Sequence, residues 1–221
     1  LRSPAAGSLA IDDFDRNAQL QAYASGGAAA ISVLTEPVEF KGSLTHLREA
    51  ATAVSTHGVP TMRKDFLTDP YQVLEAKAEG AGGILVIITM LTDEEIDELL
   101  SCARECGLFV LLEAFDVEDL ERIALLADRD SPISPLLCGV NCRNLKTLAV
   151  DFARFTSLAP HLPTTLTSVA ESGIDTSADI QAIAKLGYRA ALVGSALMRA
   201  ENPASEAAAF IATGAEAVRC S

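Results

Sequence analysis

Val59-Pro60-Thr61-Met62-Arg63-Lys64-Asp65-Phe66-Leu67-Thr68-Asp69-Pro70 passes from a strand-like segment, through a lysine, into a helix start. Val59 to Met62 is short and apolar, as a buried strand requires. Asp69 before Pro70 places a capping side chain ahead of a first-turn proline, the pattern that opens a helix. Lys64 falls between the two, at the carboxyl end of the strand. Burying an ammonium there is costly unless it is solvated or paired. On this segment alone a surface lysine is the simpler reading, but the arrangement recurs along the chain.

Further apolar runs are Ala29 to Leu34, Ile84 to Ile88, Phe109 to Leu112, Leu136 to Val140, Leu166 to Ala170 and Ala190 to Val193. Short runs that are apolar on both faces suit buried parallel strands. Between them lie helix starts: the capping-box pattern Thr92-Asp93-Glu94-Glu95, Asp116 with Asp119, and Ser177 before Asp179-Ile180. The expected strand ends are Thr35, Lys64, Thr89, Glu113, Asn141, Glu171 and Gly194, separated by 29, 25, 24, 28, 30 and 23 residues. That spacing accommodates one βα unit, and repeated right-handed units build either an open doubly wound sheet or a closed barrel.

Seven strands are awkward for a barrel, and the amino terminus accounts for the missing one. Leu1 to Gly7 reads as the loop after a strand and Ile11 to Ser25 as the helix that follows it. The expectation is therefore a (β/α)8 TIM barrel whose first strand is missing from this chain. Connectors are short and no Pro/Ser-rich linker intervenes, so residues 1–221 are expected to form a single domain truncated at its N-terminus.

The chain is 49% hydrophobic and carries a formal net charge of −13, with a pI near 4.6. With no basic run, nucleic acid and anionic membranes are poor partners. No apolar stretch reaches the length of a membrane span, and no amino-terminal signal pattern is visible, so a cytoplasmic location is expected. Five cysteines, Cys102, Cys106, Cys138, Cys142 and Cys220, form no disulfide framework and read as reduced thiols. His46, His57 and His161 do not cluster with them, so no metal site is expected.

In a barrel the strand ends converge on one mouth. Lys64, Glu113, Asn141 and Glu171 would meet there, and a lysine beside two glutamates shifts the proton affinities of all three. Glu171-Ser172-Gly173 and Gly194-Ser195 end the last two units in small residues, which let backbone N–H groups approach an anion. Barrels commonly bind phosphate at this place, so a phosphorylated small molecule is the expected ligand.

These residues together resemble the indole-3-glycerol-phosphate synthase family of tryptophan biosynthesis. The resemblance spans the chain: Ser3-Pro4 with Gly7, Leu34-Thr35-Glu36 with Phe40 to Ser43, Arg63 to Phe66, Leu112-Glu113, Gly139 to Leu145, Ala170 to Ile174, and Val193 to Met198. It implies a lyase that closes the indole ring of 1-(2-carboxyphenylamino)-1-deoxyribulose 5-phosphate with loss of carbon dioxide and water, and no metal or organic cofactor. It implies Lys64 as general acid, Glu113 in the proton transfers of dehydration, and Asn141 and Glu171 as positioners of hydroxyls. By the same resemblance Ser3, Ser172, Gly173, Gly194 and Ser195 hold phosphate. Phe40, Phe66, Leu85, Ile87, Arg143, Leu145 and Leu192 line the ring pocket.

Three departures stand against the family pattern. A Glu-x-Lys first strand shortly before Ser-Pro is absent, as is the helical extension that precedes it, and Ala5 stands where the family usually has Ser. Fusion to other tryptophan-pathway domains is common in the family. The alternatives are another phosphate-binding barrel enzyme of that pathway and a non-catalytic phosphate-binding module.

Overall fold

In the computed structural model, which describes residues 15–129, 135–144 and 147–219, apolar runs become strands and the stretches between them helices. Helix α1 (Arg16–Ser25) leads into β1 (Ile31–Leu34), α2 (Leu44–Val54) and β2 (Thr61–Lys64). Then come α3 (Pro70–Ala78), β3 (Gly83–Ile87), α4 (Asp93–Glu105), β4 (Phe109–Ala114), α5 (Val117–Arg129) and β5 (Leu136–Asn141). The chain continues with α6 (Ala153–Leu158), β6 (Thr167–Glu171), α7 (Ser177–Lys185), β7 (Ala190–Leu192), the short α8 (Ser195–Arg199) and α9 (Pro203–Arg219).

All the strands are parallel and their spatial order equals their order in sequence, β1 through β7. A doubly wound sheet would reverse its order at a switch point. Here every crossover runs the same way, so the sheet curls and gathers the helices on its convex side. Strand alternation then divides the core in two. Ile84, Val86, Val110, Leu112, Cys138, Val140 and Ala170 pack under the helices. Met62, Leu85, Ile87, Leu111 and Val169 pack together on the concave side, with Phe66, Phe109, Leu137 and Leu192 against them. Each such fully buried aliphatic side chain stabilises the fold by roughly 1.5–3 kcal/mol.

The two ends of the sheet approach one another through their helices. Helix α1 packs against α9, and Gln19 Nε2 donates to the Leu197 carbonyl at 3.2 Å. Strands β1 and β7 are not paired with each other among the described residues. Their concave positions are the least covered: Ser32, Leu34 and Leu192 are half-buried and Ala190 is exposed, whereas β3 is buried along its length. The product is an α/β half-barrel.

Local signals behave largely as the sequence predicts. Asp69 caps α3 with a complete capping box to Gln72 and Pro70 in the first turn, and Thr92 with Glu95 does the same for α4. Helix α7 begins at Ser177, but its cap is the preceding Thr176, paired with Asp179. Strand β2 runs past Met62 to include Lys64. Thr89 lies outside β3, exposed in a single 3-10 turn over Ile88–Met90, so that strand contributes the apolar Ile87 to the mouth. Of the helix expected over 11–25, α1 is described from Arg16. Removing the α3 cap by Asp69→Ala should cost about 1 kcal/mol. Urea unfolding would register this as a lower midpoint at unchanged m-value.

Candidate active site

The concave face turns polar at the carboxyl end by a rule of alternation: residues two apart on a strand share a face. Met62 is followed two positions on by Lys64, Leu111 by Glu113, and Val169 by Glu171. Each strand thus spends its inner residue on packing and its last one on chemistry. The ladders fix the relative heights, with Glu113 opposite Gly139 and Asn141 opposite Glu171.

Lys64 Nζ donates to Glu113 Oε2 at 2.9 Å and lies 3.5 Å from Glu171 Oε2. Both carboxyl side chains are 1% exposed, and the lysine side chain is 24% exposed. The asparagine is buried as well and its side chain bonds Glu113. Gly139 leaves the room for this arrangement: a Cβ built on it would stand 2.1 Å from Glu171 Oε1. That oxygen is buried and has no hydrogen-bond partner among the described residues.

The three ionisable groups settle one another's charge. Burial opposes charge on Lys64, yet the facing Glu113 and Glu171 outweigh it and raise its proton affinity, keeping the ammonium. Burial likewise opposes ionisation of Glu113, but the Lys64 ammonium and the bonds from Glu171, Lys64 and Asn141 hold its carboxyl below the ordinary range. For Glu171, burial and then the Glu113 charge push proton affinity well up, and Lys64 only partly offsets them. The site therefore sets one ammonium between two carboxyls of opposite tendency, Glu113 toward the carboxylate and Glu171 toward the protonated acid.

Loops carry the other expected residues. Glu36 accepts from the backbone N–H groups of Val38, Glu39 and Phe40 at 2.8, 2.7 and 2.9 Å, winding the loop after β1 around its carboxylate. That loop presents Phe40, whose ring centroid is 6.3 Å from that of Phe66. Leu85, Ile87 and Leu192 lie on the concave face beside Phe66. Ser172 and Gly173 both adopt positive φ, 70° and 68°, so the backbone turns sharply just past Glu171. Cys142 Sγ donates to the Ser172 carbonyl at 3.2 Å and braces this turn. Past the adjacent strand β7, Gly194 precedes α8 and Ser195 is its first residue.

Not every expected residue joins the cluster. The Arg143 guanidinium donates to Leu148 O at 3.0 Å within its own loop, and its backbone N–H donates to Asn141 Oδ1. Ser3 and Leu145 lie outside the described residues. Sequence reading missed Gly139 and Glu36 as organisers. A glycine inside a strand was the available signal for the first, since it marks close approach of another group. For Glu36 no local pattern existed.

A family model described as indole-3-glycerol phosphate synthase matches residues 1–210. Among curated proteins, the indole-3-glycerol phosphate synthase of Azospirillum brasilense is 43% identical over 210 residues, 95% of this chain and 76% of that protein. The one from a Nocardioides species is 44% identical over 215 residues, 97% of this chain and 78% of the relative. The chain belongs to the indole-3-glycerol phosphate synthase family. Every strand from β1 to β7 falls within the matched residues. The fold is also similar to the solved thiamine phosphate pyrophosphorylase from Pyrococcus furiosus, with a TM-score of 0.66 at 16% identity, covering 92% of this chain and 91% of that one. At such identity the likeness concerns architecture alone. Among the described residues no helix is long and apolar enough to cross a membrane.

The raised proton affinity of Glu171 has a measurable consequence. A carboxyl with raised native proton affinity keeps a proton that the unfolded chain surrenders, so stability falls as pH rises from the ordinary value of 4.5 toward the native one. Glu113 has the opposite sign, contributing stability that is lost as pH falls. Glu171→Gln should remove the fall above pH 4.5. Denaturant unfolding across pH would show the wild type losing stability relative to the variant as pH rises above 4.5; parallel curves would contradict the assignment.

Proposed function

We propose that this protein closes the indole ring of 1-(2-carboxyphenylamino)-1-deoxyribulose 5-phosphate to indole-3-glycerol phosphate, with Lys64, Glu113, Asn141 and Glu171 as its working groups. The observation that carries the assignment of roles is the buried Lys64 ammonium clasped by two carboxyls of unequal proton affinity. A pair of carboxyls pushed apart in this way divides into a base and an acid.

As the ring carbon attacks the ribulose carbonyl, negative charge develops on the carbonyl oxygen. Lys64 stabilises that charge and delivers a proton to it. The carbon–carboxylate bond then breaks, carbon dioxide leaves, and its electron pair restores the ring. Apolar walls from Phe40, Phe66, Leu85, Ile87 and Leu192 disfavour solvation of the departing carboxylate. In the dehydration Glu113, ionised, takes the proton from the carbon next to the ring nitrogen, and the hydroxyl leaves as water with a proton from Lys64, reprotonated from solvent after the first step. Glu113 then returns its proton to the lysine beside it. Glu171, protonated and with an unpartnered oxygen, holds a substrate hydroxyl together with Asn141. The phosphate sits against the backbone turn of Ser172 and Gly173 and the Gly194-Ser195 helix start, with Ser3 completing its shell. In this reading Arg143 and Leu145 also line the ring pocket.

This reading includes a complete (β/α)8 barrel as the working form, with residues 1–221 as one domain. Its support is the seam between β1 and β7, where concave side chains lie half-bare while α1 and α9 already meet behind them. A further parallel strand in that seam would pair both edges and cover those side chains.

The test is turnover of the ribulose phosphate followed by indole fluorescence. Lys64→Ala should lower kcat by roughly 10²–10⁴-fold, with a lesser effect on KM, because general-acid and charge effects act in the transition state. Glu113→Gln should spare folding and slow dehydration. Unchanged kcat with a weakened KM in Lys64→Ala would reduce the lysine to an anchor and overturn the mechanism.

A further inference from the structure

We propose that Arg63, which faces away from the site, is a positioning residue that aims Lys64 by locking the end of β2 to β1 and α3. The inference rests on the role proposed above for Lys64. Neighbouring strand residues point to opposite faces, so the Arg63 side chain enters the layer beneath the helices, where it is buried. Nothing in the chemistry of ring closure uses it.

Its guanidinium is engaged on every nitrogen. Nη1 donates to Gln72 O at 2.8 Å and to Glu75 Oε2 at 3.2 Å, and Nη2 donates to Asp65 Oδ2 at 3.0 Å. Nε reaches Thr35 Oγ1 at 3.2 Å, and that hydroxyl in turn donates to Asp65 Oδ2 at 2.6 Å. The other Asp65 oxygen accepts from Phe66 N at 2.9 Å. Lys64 itself accepts from Thr35 N at 3.1 Å through its carbonyl. The backbone on both sides of the lysine is therefore anchored to one network joining β1, β2 and the first turns of α3.

A buried ion cluster is a poor device for stability alone, since packed apolar side chains of the same volume do as well or better. What the guanidinium offers is a rigid planar fork with fixed bond directions. Lys64 needs that rigidity: its ammonium sits at the end of a flexible four-carbon stem and must meet Glu113 at 2.9 Å. A displacement of about 1 Å at a reacting group can cost on the order of a hundredfold in rate.

Two variants, Arg63→Met and Thr35→Val, test this in the intact protein. The second keeps side-chain shape and removes only the hydroxyl bridging Arg63 and Asp65, so it serves if the first fails to fold. In folded Arg63→Met, kcat should drop between about tenfold and a hundredfold with little change in KM; Thr35→Val should show a smaller loss of the same kind. Repeated in a Lys64→Ala background, either substitution should produce little further loss, because its effect passes through the lysine. NMR of 15N-labelled lysine supplies a readout independent of turnover. The Lys64 ammonium signal, assigned by its disappearance in Lys64→Ala, should shift and exchange faster with solvent in both variants. Wild-type kcat and an unmoved signal in a folded variant would overturn the proposal, as would an equal fold-loss with and without Lys64. If the wild type itself turns over no ribulose phosphate, the functional reading fails, while the ammonium signal still decides whether Arg63 positions the lysine.

Discussion

Placing one ammonium and two carboxyls together out of water forces them to settle their charges among themselves. Three buried charges would leave an uncompensated negative one, which costs several kcal/mol in a medium of low polarisability. The cluster lowers that cost by raising the proton affinity of Glu171 while favouring the charged forms of Lys64 and Glu113. Much of the surrounding architecture serves this arrangement: a glycine opposite Glu113 makes room for the second acid, and Asn141 bonds the first.

The parallel sheet is suited to the task because it separates stability from chemistry within single strands. Residues under the helices form an apolar layer broken chiefly by the Arg63 network, and on β2, β4 and β6 the concave side passes from a packed apolar residue to an ionisable one at its last position. Polar groups at that rim are held by the rigid ladder beneath them, so their mutual distances are set by strand register. Loops contribute less rigid parts, and each of these is braced individually. Glu36 gathers three backbone donors, Cys142 holds the Ser172 carbonyl, and Arg63 pins the turn after β2.

The edges of the sheet show the same logic by contrast. Each strand with neighbours on both sides buries at least one concave residue; β1 and β7 bury none. Sheet closure therefore controls how dry the mouth becomes, and dryness controls how strongly its charges interact.

Much of this was legible in the amino-acid order. Apolar runs, capping residues and a steady repeat length are local properties, so the strand and helix sequence, the caps of α3 and α4, and Lys64, Glu113, Asn141 and Glu171 as rim residues could be read directly. Family membership followed from the same motifs. The misplacements were local too, such as the α7 cap falling one residue early, because neighbouring Thr and Ser offer equivalent hydroxyls. Only the tertiary structure decided which glutamate keeps its proton, that Glu171 lies over Gly139, and that Arg63 ties β1, β2 and α3 behind the lysine. Those properties depend on distances between groups on different strands, and proton affinity and steric room act through space, not along the chain.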